Sequence, residues 1–225
     1  MVMDDRGQLG ARIGVLVVDD HDLFRIGLVT MLRADAGIEV VGQASRGRMG
    51  VRLAQELRPS VVLMDLRMPD LDGIEATKEI LQGNPETRVI ALTVANGESD
   101  IAAAVLAGAC GYLLKDTPIE DVAAAVRAAA NGDSWLAPRA AAALLDRMRR
   151  EHVEPSRDPQ LLAILSPREL EILRLVARGM ENAEIAAELN ISPRTAKNHL
   201  SSILNKLGMT NRVQAAILAV RSGLA

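Results

Sequence analysis

Residues Val15–Phe24 read VLVVDDHDLF. The apolar run reaches back to Ile13 and stops abruptly at two adjacent acids, Asp19 and Asp20, with a third at Asp22. A short run rich in branched aliphatic residues that ends in polar residues predicts a buried strand. Carboxylates crowded at its end raise the free energy of the ionised state unless something neutralises them. The strand and its acidic end are the two features that the rest of the chain must accommodate.

Outward from this stretch the pattern repeats. Strand-like runs at Ile13–Val18, Ile38–Gln43, Val61–Asp65, Val89–Thr93 and Gly111–Leu114 alternate with helical patterns at Asp22–Arg33, Arg46–Leu57, Gly73–Leu81, Ser99–Ala107 and Ile119–Ala130. Five short apolar strands separated by amphipathic helices predict an α/β domain with a doubly wound, five-stranded parallel sheet. Chemistry in such sheets gathers at the carboxyl ends of the strands. Asp19 and Asp20 fall at the end of the first, Asp65 of the third and Thr93 of the fourth, and Lys115 follows the fifth.

Composition narrows the class. Of the 225 residues 49% are hydrophobic, but only 1% are aromatic (Phe24, Tyr112 and Trp135), so the cores must be aliphatic. The single cysteine, Cys110, forms no internal disulfide, which suits a reducing cytoplasm. The polar N-terminal MVMDDRGQLGAR has no signal-peptide core, and the uncharged stretch Ile101–Leu114 is too short to span a bilayer. The expectation is a cytoplasmic protein with no membrane partner. Charge divides the chain: residues 1–137 hold 13 Lys and Arg against 20 Asp and Glu, whereas residues 161–225 hold 8 against 5. An acidic front and a basic tail predict two domains with different partners.

Asp19, Asp20 and Asp65 would converge at neighbouring strand ends. Three carboxylates make a seat for a hard cation such as Mg²⁺, which takes oxygen ligands and joins carboxylates to phosphate. A carboxylate beside it can attack a phosphoryl group, with Lys115 and Thr93 meeting the phosphoryl oxygens. Taken singly these residues mean little, since an acid pair after a strand often only caps the next helix. Asp70 and Asp72, in a Pro-Asp-x-Asp-Gly turn, shape a loop, and His21 has no companion ligand for zinc.

The ordered set VLVVDDHDLFR, VVLMDLRMPDLDGIEA, VIALT and GYLLKD resembles the receiver domain of two-component response regulators, a flavodoxin-like fold. The resemblance implies that Asp65 is the phosphoacceptor and that Asp19, Asp20 and Asp65 hold Mg²⁺ with the backbone carbonyl of Arg67. It implies that Thr93 and Lys115 contact the phosphoryl group, and that Tyr112 turns inward with Thr93 as the domain switches. A competing reading takes DHD as the Asp-x-Asp nucleophile of a haloacid-dehalogenase-type phosphatase, with Asp20 attacking and Asp22 as acid and base. That reading requires a later acidic pair closing a strand, lacks one after Lys115, and leaves Asp65 and the basic tail without a role.

The tail from Ser166, SPRELEILRLVARGMENAEIAAELNISPRTAKNHLSSILNKLGMTNRVQAAILA, predicts four helices. They run from Pro167 to about Arg178, from Ala183 to Leu189 with Asn182 as cap, from Pro193 to Leu207, and from about Asn211. Ser166 with Glu169 forms a capping box. The second and third helices, joined by a tight turn, suggest helix-turn-helix geometry. On the third, Ala196, Leu200, Ile203 and Leu207 make a buried stripe. Arg194, Asn198, Ser201, Ser202 and Asn205 face away with Lys197 on the flank, an acid-free surface suited to the major groove.

This segment resembles the LuxR-type helix-turn-helix, and with the receiver it is similar to the NarL/FixJ response regulators. The resemblance divides the chain into a receiver (12–137), a linker (138–160) and a DNA-binding domain (161–225). It implies a transcription factor rather than a free-standing enzyme, whose receiver accepts and can itself release a phosphoryl group. The partners it implies are a sensor histidine kinase, double-stranded DNA and a second copy of the chain, joined as a homodimer on phosphorylation. Lys197 and Asn198 fall on contact positions of the recognition helix, with Thr195 beside them.

Overall fold

The structure, a computed structural model, describes residues 12–94, 98–136, 164–222 and 224. Strands β1 (Ile13–Val18), β2 (Ile38–Ala44), β3 (Val61–Asp65), β4 (Arg88–Thr93) and β5 (Gly111–Leu114) alternate with α1 (Asp22–Arg33), α2 (Gly47–Leu57), α3 (Gly73–Gly83), α4 (Glu98–Ala107) and α5 (Ile119–Ala130). A two-residue strand, β6 (Trp135–Leu136), extends the sheet to the order β2-β1-β3-β4-β5-β6, all parallel. The sequence predicts five strands. A pair of residues is too short to carry an alternating pattern, and β6 forms by pairing Trp135 with Gly111 at an edge that already exists.

The strands are apolar on both faces because both are covered. One face packs Val15, Val17, Leu63, Ile90, Leu92 and Leu113 against α1 and α5. The other packs Leu16, Val18, Val62, Met64 and Val89 against α2 and α3. Tyr112 joins Leu66, Ala91, Ile101 and Ala104 beneath α4. Asp72 caps α3 by accepting from Ile74 and Glu75 N–H groups at 2.9 Å, and Asp70 accepts from Gly47 and Arg48 at the start of α2. Both acids therefore shape the loop, as the turn sequence implies.

Among the described residues four further helices follow: α6 (Pro167–Ala177), α7 (Asn182–Leu189), α8 (Pro193–Leu207) and α9 (Arg212–Arg221). They enclose their own core, centred on Ile172, Leu173, Ile185, Ala196, Leu200, Ile203 and Ala215. Ser166 and Glu169 form the expected capping box. At α7 the cap is Glu181, whose N–H donates to Glu184 at 2.7 Å, and not Asn182. The expected linker, 138–160, lies outside the described residues.

Candidate functional site

Parallel pairing of β1 with β3 sets Val18 beside Met64, so the next residues, Asp19 and Asp65, emerge side by side. Carboxylate oxygens of Asp19, Asp20 and Asp65 lie within 4.8 Å of one another. Asp19 and Asp65 are buried and Asp20 is exposed. Lys115 Nζ stands 2.7 Å from Asp19 Oδ2 and 2.8 Å from Asp65 Oδ2. The remaining Asp65 oxygen, Oδ1, accepts from the Arg67 N–H at 3.1 Å. Gly73 explains how the next loop passes so close: a Cβ there would lie 2.0 Å from the Asp65 carbonyl oxygen.

Electrostatics follow from burial. Desolvation pushes the Asp65 carboxyl above its ordinary value and the Asp19 charge adds to this, while Lys115 and the Arg67 N–H pull the other way. Burial alone would lower Lys115, but its bonds to Asp19 and Asp65 outweigh that and hold it above the ordinary lysine value. Three carboxylates against one lysine leave the pocket short of positive charge. Two further supports are not evident in the sequence. Arg25 donates to the Asp19 carbonyl at 2.6 Å and to Asp22 at 2.5 Å, and the Phe24 ring lies 5.0 Å from Lys115 Nζ.

Thr93 is buried at the end of β4, and the Lys115 N–H donates to its carbonyl at 2.8 Å. Burial pushes the Tyr112 hydroxyl up, against the opposing effect of a hydrogen bond with Thr93. Tyr112 is only 3% exposed and packs beneath α4. The small alanines beneath α4 leave the room that lets the ring pack inside.

The helical domain rests on the opposite end of the sheet. Val213 and Ile217 of α9 pack on Ala102 and Val105 of α4. Asn211 Nδ2 donates to the Val105 and Ala109 carbonyls at 3.2 and 3.1 Å, and Gln214 Nε2 to those of Val105 and Leu106 at 3.1 and 3.2 Å. Val105 and Leu106 lie in the last turn of α4 and Ala109 just beyond it, and the Val105 carbonyl also accepts from the Gly108 N–H at 3.0 Å. Gly108 (φ 112°) makes the approach possible, since a Cβ there would lie 2.6 Å from Thr210 Oγ1.

Within α8 the predicted stripe is buried, with Leu204 added. Arg194, Asn198 and Asn205 are exposed. Thr195 and Ser192 share a hydroxyl contact of 2.8 Å at the helix start. Ser202 departs from the expected outer face: its hydroxyl donates to Glu169 Oε1 at 2.9 Å. Lys197 Nζ donates to the Ala130 carbonyl at 2.9 Å, and Ser201 lines a small cavity between the domains with Arg88 and Cys110. Desolvation, with the charge of Arg88 nearby, lowers Lys197 from its ordinary value. Sequence reasoning misses the rest of this seam: Asp133, Asn182, Asn211, Arg212 and Gln214.

A doubly wound sheet with acids at adjacent strand ends, followed by a helix-turn-helix core, defines a response regulator that joins a receiver to a DNA-binding domain. Residues 15–127 match the response regulator receiver domain, and residues 163–219 match the bacterial regulatory proteins of the luxR family. The chain is 44% identical over 214 residues to the transcriptional regulatory protein LiaR of Bacillus subtilis, covering 94% of this chain and 99% of that one. It is 39% identical over 212 residues to the response regulator protein VraR of Staphylococcus aureus, covering 94% and 98%. Among solved structures, the response regulator ChrA of a heme-sensing two-component system aligns at 38% identity and a TM-score of 0.52, over 95% of this chain and 99% of that chain. The RcsB–DNA complex aligns at 27% identity and a TM-score of 0.55, over 94% and 99%. The chain belongs to the NarL/FixJ family of two-component response regulators, with a LuxR-type DNA-binding domain. No helix among the described residues is long and apolar enough to cross a membrane.

Proposed function

We propose that a sensor histidine kinase phosphorylates this chain on Asp65, and that the modified chain binds double-stranded DNA as a homodimer to regulate transcription. The receiver then spans 12–137, the linker 138–160 and the DNA-binding domain 161–225, in a cytoplasmic protein. The observation behind this reading is the convergence of Asp19, Asp20 and Asp65 on one point with Lys115 paired to two of them. Mg²⁺ fits the donor set. All three side chains offer oxygen, and Asp19 Oδ2 is buried with no well-aligned hydrogen bond despite its contact with Lys115. The Arg67 carbonyl is the remaining ligand that the chain would supply. When bound, the ion would draw charge from the phosphoryl oxygens.

The chain's own residues do the rest. An Asp65 carboxylate oxygen attacks phosphorus as the bond to the kinase histidine nitrogen breaks, giving an acyl phosphate. Lys115 leaves Asp65 for a phosphoryl oxygen, and the Thr93 hydroxyl donates to another. Thr93 thereby gives up its bond with Tyr112, and the strain passes to α4, which begins beyond β4 and packs on Tyr112. Arg67 ties the same helix to the pocket through Asp100 at 3.0 Å. The contacts at the far end of α4 hold α9, and the Ala130 carbonyl holds Lys197. Phosphorylation would therefore loosen a domain that is docked in its absence. Incubation with acetyl phosphate and Mg²⁺ should add one phosphoryl mass that EDTA prevents. Persistence of that mass in Asp65→Ala would refute the assignment.

A further inference from the structure

The groups that hold the helical domain on the receiver are those that such a domain would offer to a phosphate. Asp133 lies just beyond α5, and its Oδ1 accepts from the Asn182 N–H at 3.3 Å and from Arg212 Nη1 at 2.7 Å. Asn182 opens α7, so its N–H is one of the donors that the helix leaves without an internal partner, at the positive end of the dipole. The other arm of Arg212 donates to the Met180 carbonyl, in the loop just before α7. That second bond lies wholly within the helical domain. The guanidinium therefore stays beside the start of α7 whether or not Asp133 is present.

In a helix-turn-helix the second helix enters the major groove and the first crosses the backbone. Helix N-termini and arginines are among the donors that take phosphate oxygens. We propose that the Asn182 N–H and the Arg212 guanidinium form a site for one DNA backbone phosphate, and that Asp133 fills it in the docked chain as an internal anion. This proposal rests on the DNA-binding reading above and adds a phosphate contact on α7 and α9 to those on α8. A phosphodiester carries one negative charge, as the carboxylate does, so the exchange leaves the charge of the site unchanged. The neighbouring acids do not fill it: Glu184 accepts from the Glu181 N–H, as described above.

Several features make the exchange feasible. Lys197 is likewise held by the receiver, on a carbonyl at the negative end of α5, so DNA and receiver compete for two groups at once. The docked seam is also imperfect. Ser134 Oγ and Asn182 Oδ1 are buried without a protein partner, and Lys197 is desolvated close to Arg88.

The test uses the full chain and a mixed-sequence DNA duplex, with affinity measured across a KCl series. Asp133→Ala should bind more tightly than the parent by roughly 5- to 150-fold, the ordinary range of coupling between sites. Asp133→Asn, which keeps the shape without the charge, should move the same way by less. In the Asp133→Ala background, Arg212→Gln should lower the salt slope by about one unit, as loss of one phosphate contact requires, and Arg212→Lys should restore it. Thermal melting checks that each variant is folded. If Arg212→Gln leaves the slope intact while Lys197→Ala lowers it, Arg212 is a structural ion partner only and the proposal fails. Unchanged affinity in Asp133→Ala also overturns it. Loss of salt-dependent binding in every chain would instead refute the DNA-binding reading itself.

Discussion

Asp65 sits where burial and charge work against each other. Its ionised form is desolvated and faces Asp19, and Lys115 must serve both acids. A carboxyl held above its ordinary value destabilises the fold at neutral pH, because the unfolded chain ionises it more readily. Asp65→Asn should therefore stabilise the receiver by about 0.5–2 kcal/mol, in the range of relieved functional strain. Mg²⁺ should raise the melting temperature of the parent and do so less in the variant. Equal response to Mg²⁺ in both would remove Asp65 from the ligand set. Glu169 is the opposite case. Only 4% exposed, it accepts from Lys206 at 2.7 Å and from the Ser166 N–H at 2.8 Å, and Lys206 chiefly holds its carboxyl down at about 2. Stability from this group is present above the ordinary glutamate value, about 4.5, and is lost as pH falls toward about 2. Its worth is at most about 3 kcal/mol, less because Lys206 is 41% exposed to screening solvent. Glu169→Gln should lower the melting temperature at neutral pH and flatten the acid limb of the helical domain's stability curve.

Helices and strands carry information in the sequence to different depths. The pocket is legible because each acid ends an apolar run, so strand adjacency alone brings Asp19 and Asp65 together. The α8 stripe is legible because a period near 3.6 survives without knowledge of what covers it. The seam is not legible. Asp133, Asn182 and Arg212 are ordinary surface types far apart in the chain, and Asn182 imitates a helix cap while Glu181 holds the capping position. Ser202 likewise falls on the acid-free face by projection, yet Glu169 of α6 draws its hydroxyl aside. In the proposed mechanism the two ends of α4 carry the signal, since one follows the pocket and the other meets Asn211 and α9. Val213→Asp should place a charge among Ala102, Val105 and Ile217, which cannot solvate it. The receiver should remain phosphorylatable while small-angle scattering reports an expanded chain. An unchanged radius would mean that the polar bonds of Asn211 and Gln214 hold the seam alone.

Pairing of two phosphorylated copies, as proposed above, would use a different surface of the receiver from docking. With α9 on α4, α1 carries an exposed apolar face, where Leu23, Ile26 and Met31 are 79%, 55% and 48% exposed, with Met31 beside Ile119 of α5. Gly27 leaves the same helix without a protruding side chain at its middle, which favours close approach of a second helix. Charges of both signs, Asp35 with Arg127 and Glu120, border this face, so two copies related by a twofold axis could match charges across it. The face is also mechanically close to the pocket: α1 starts at Asp22, and Arg25 joins that residue to the Asp19 carbonyl. Phosphorylation at Asp65 would thus reach pairing through α1 and release through α4, two routes from one event. Ile26→Asp separates them. The variant should still accept a phosphoryl group and still expand on modification, yet sediment as a monomer. Its DNA affinity should rise less on phosphorylation than the parent's, because each helical domain then binds alone. Dimerisation of modified Ile26→Asp to the parent's extent would assign pairing to another face.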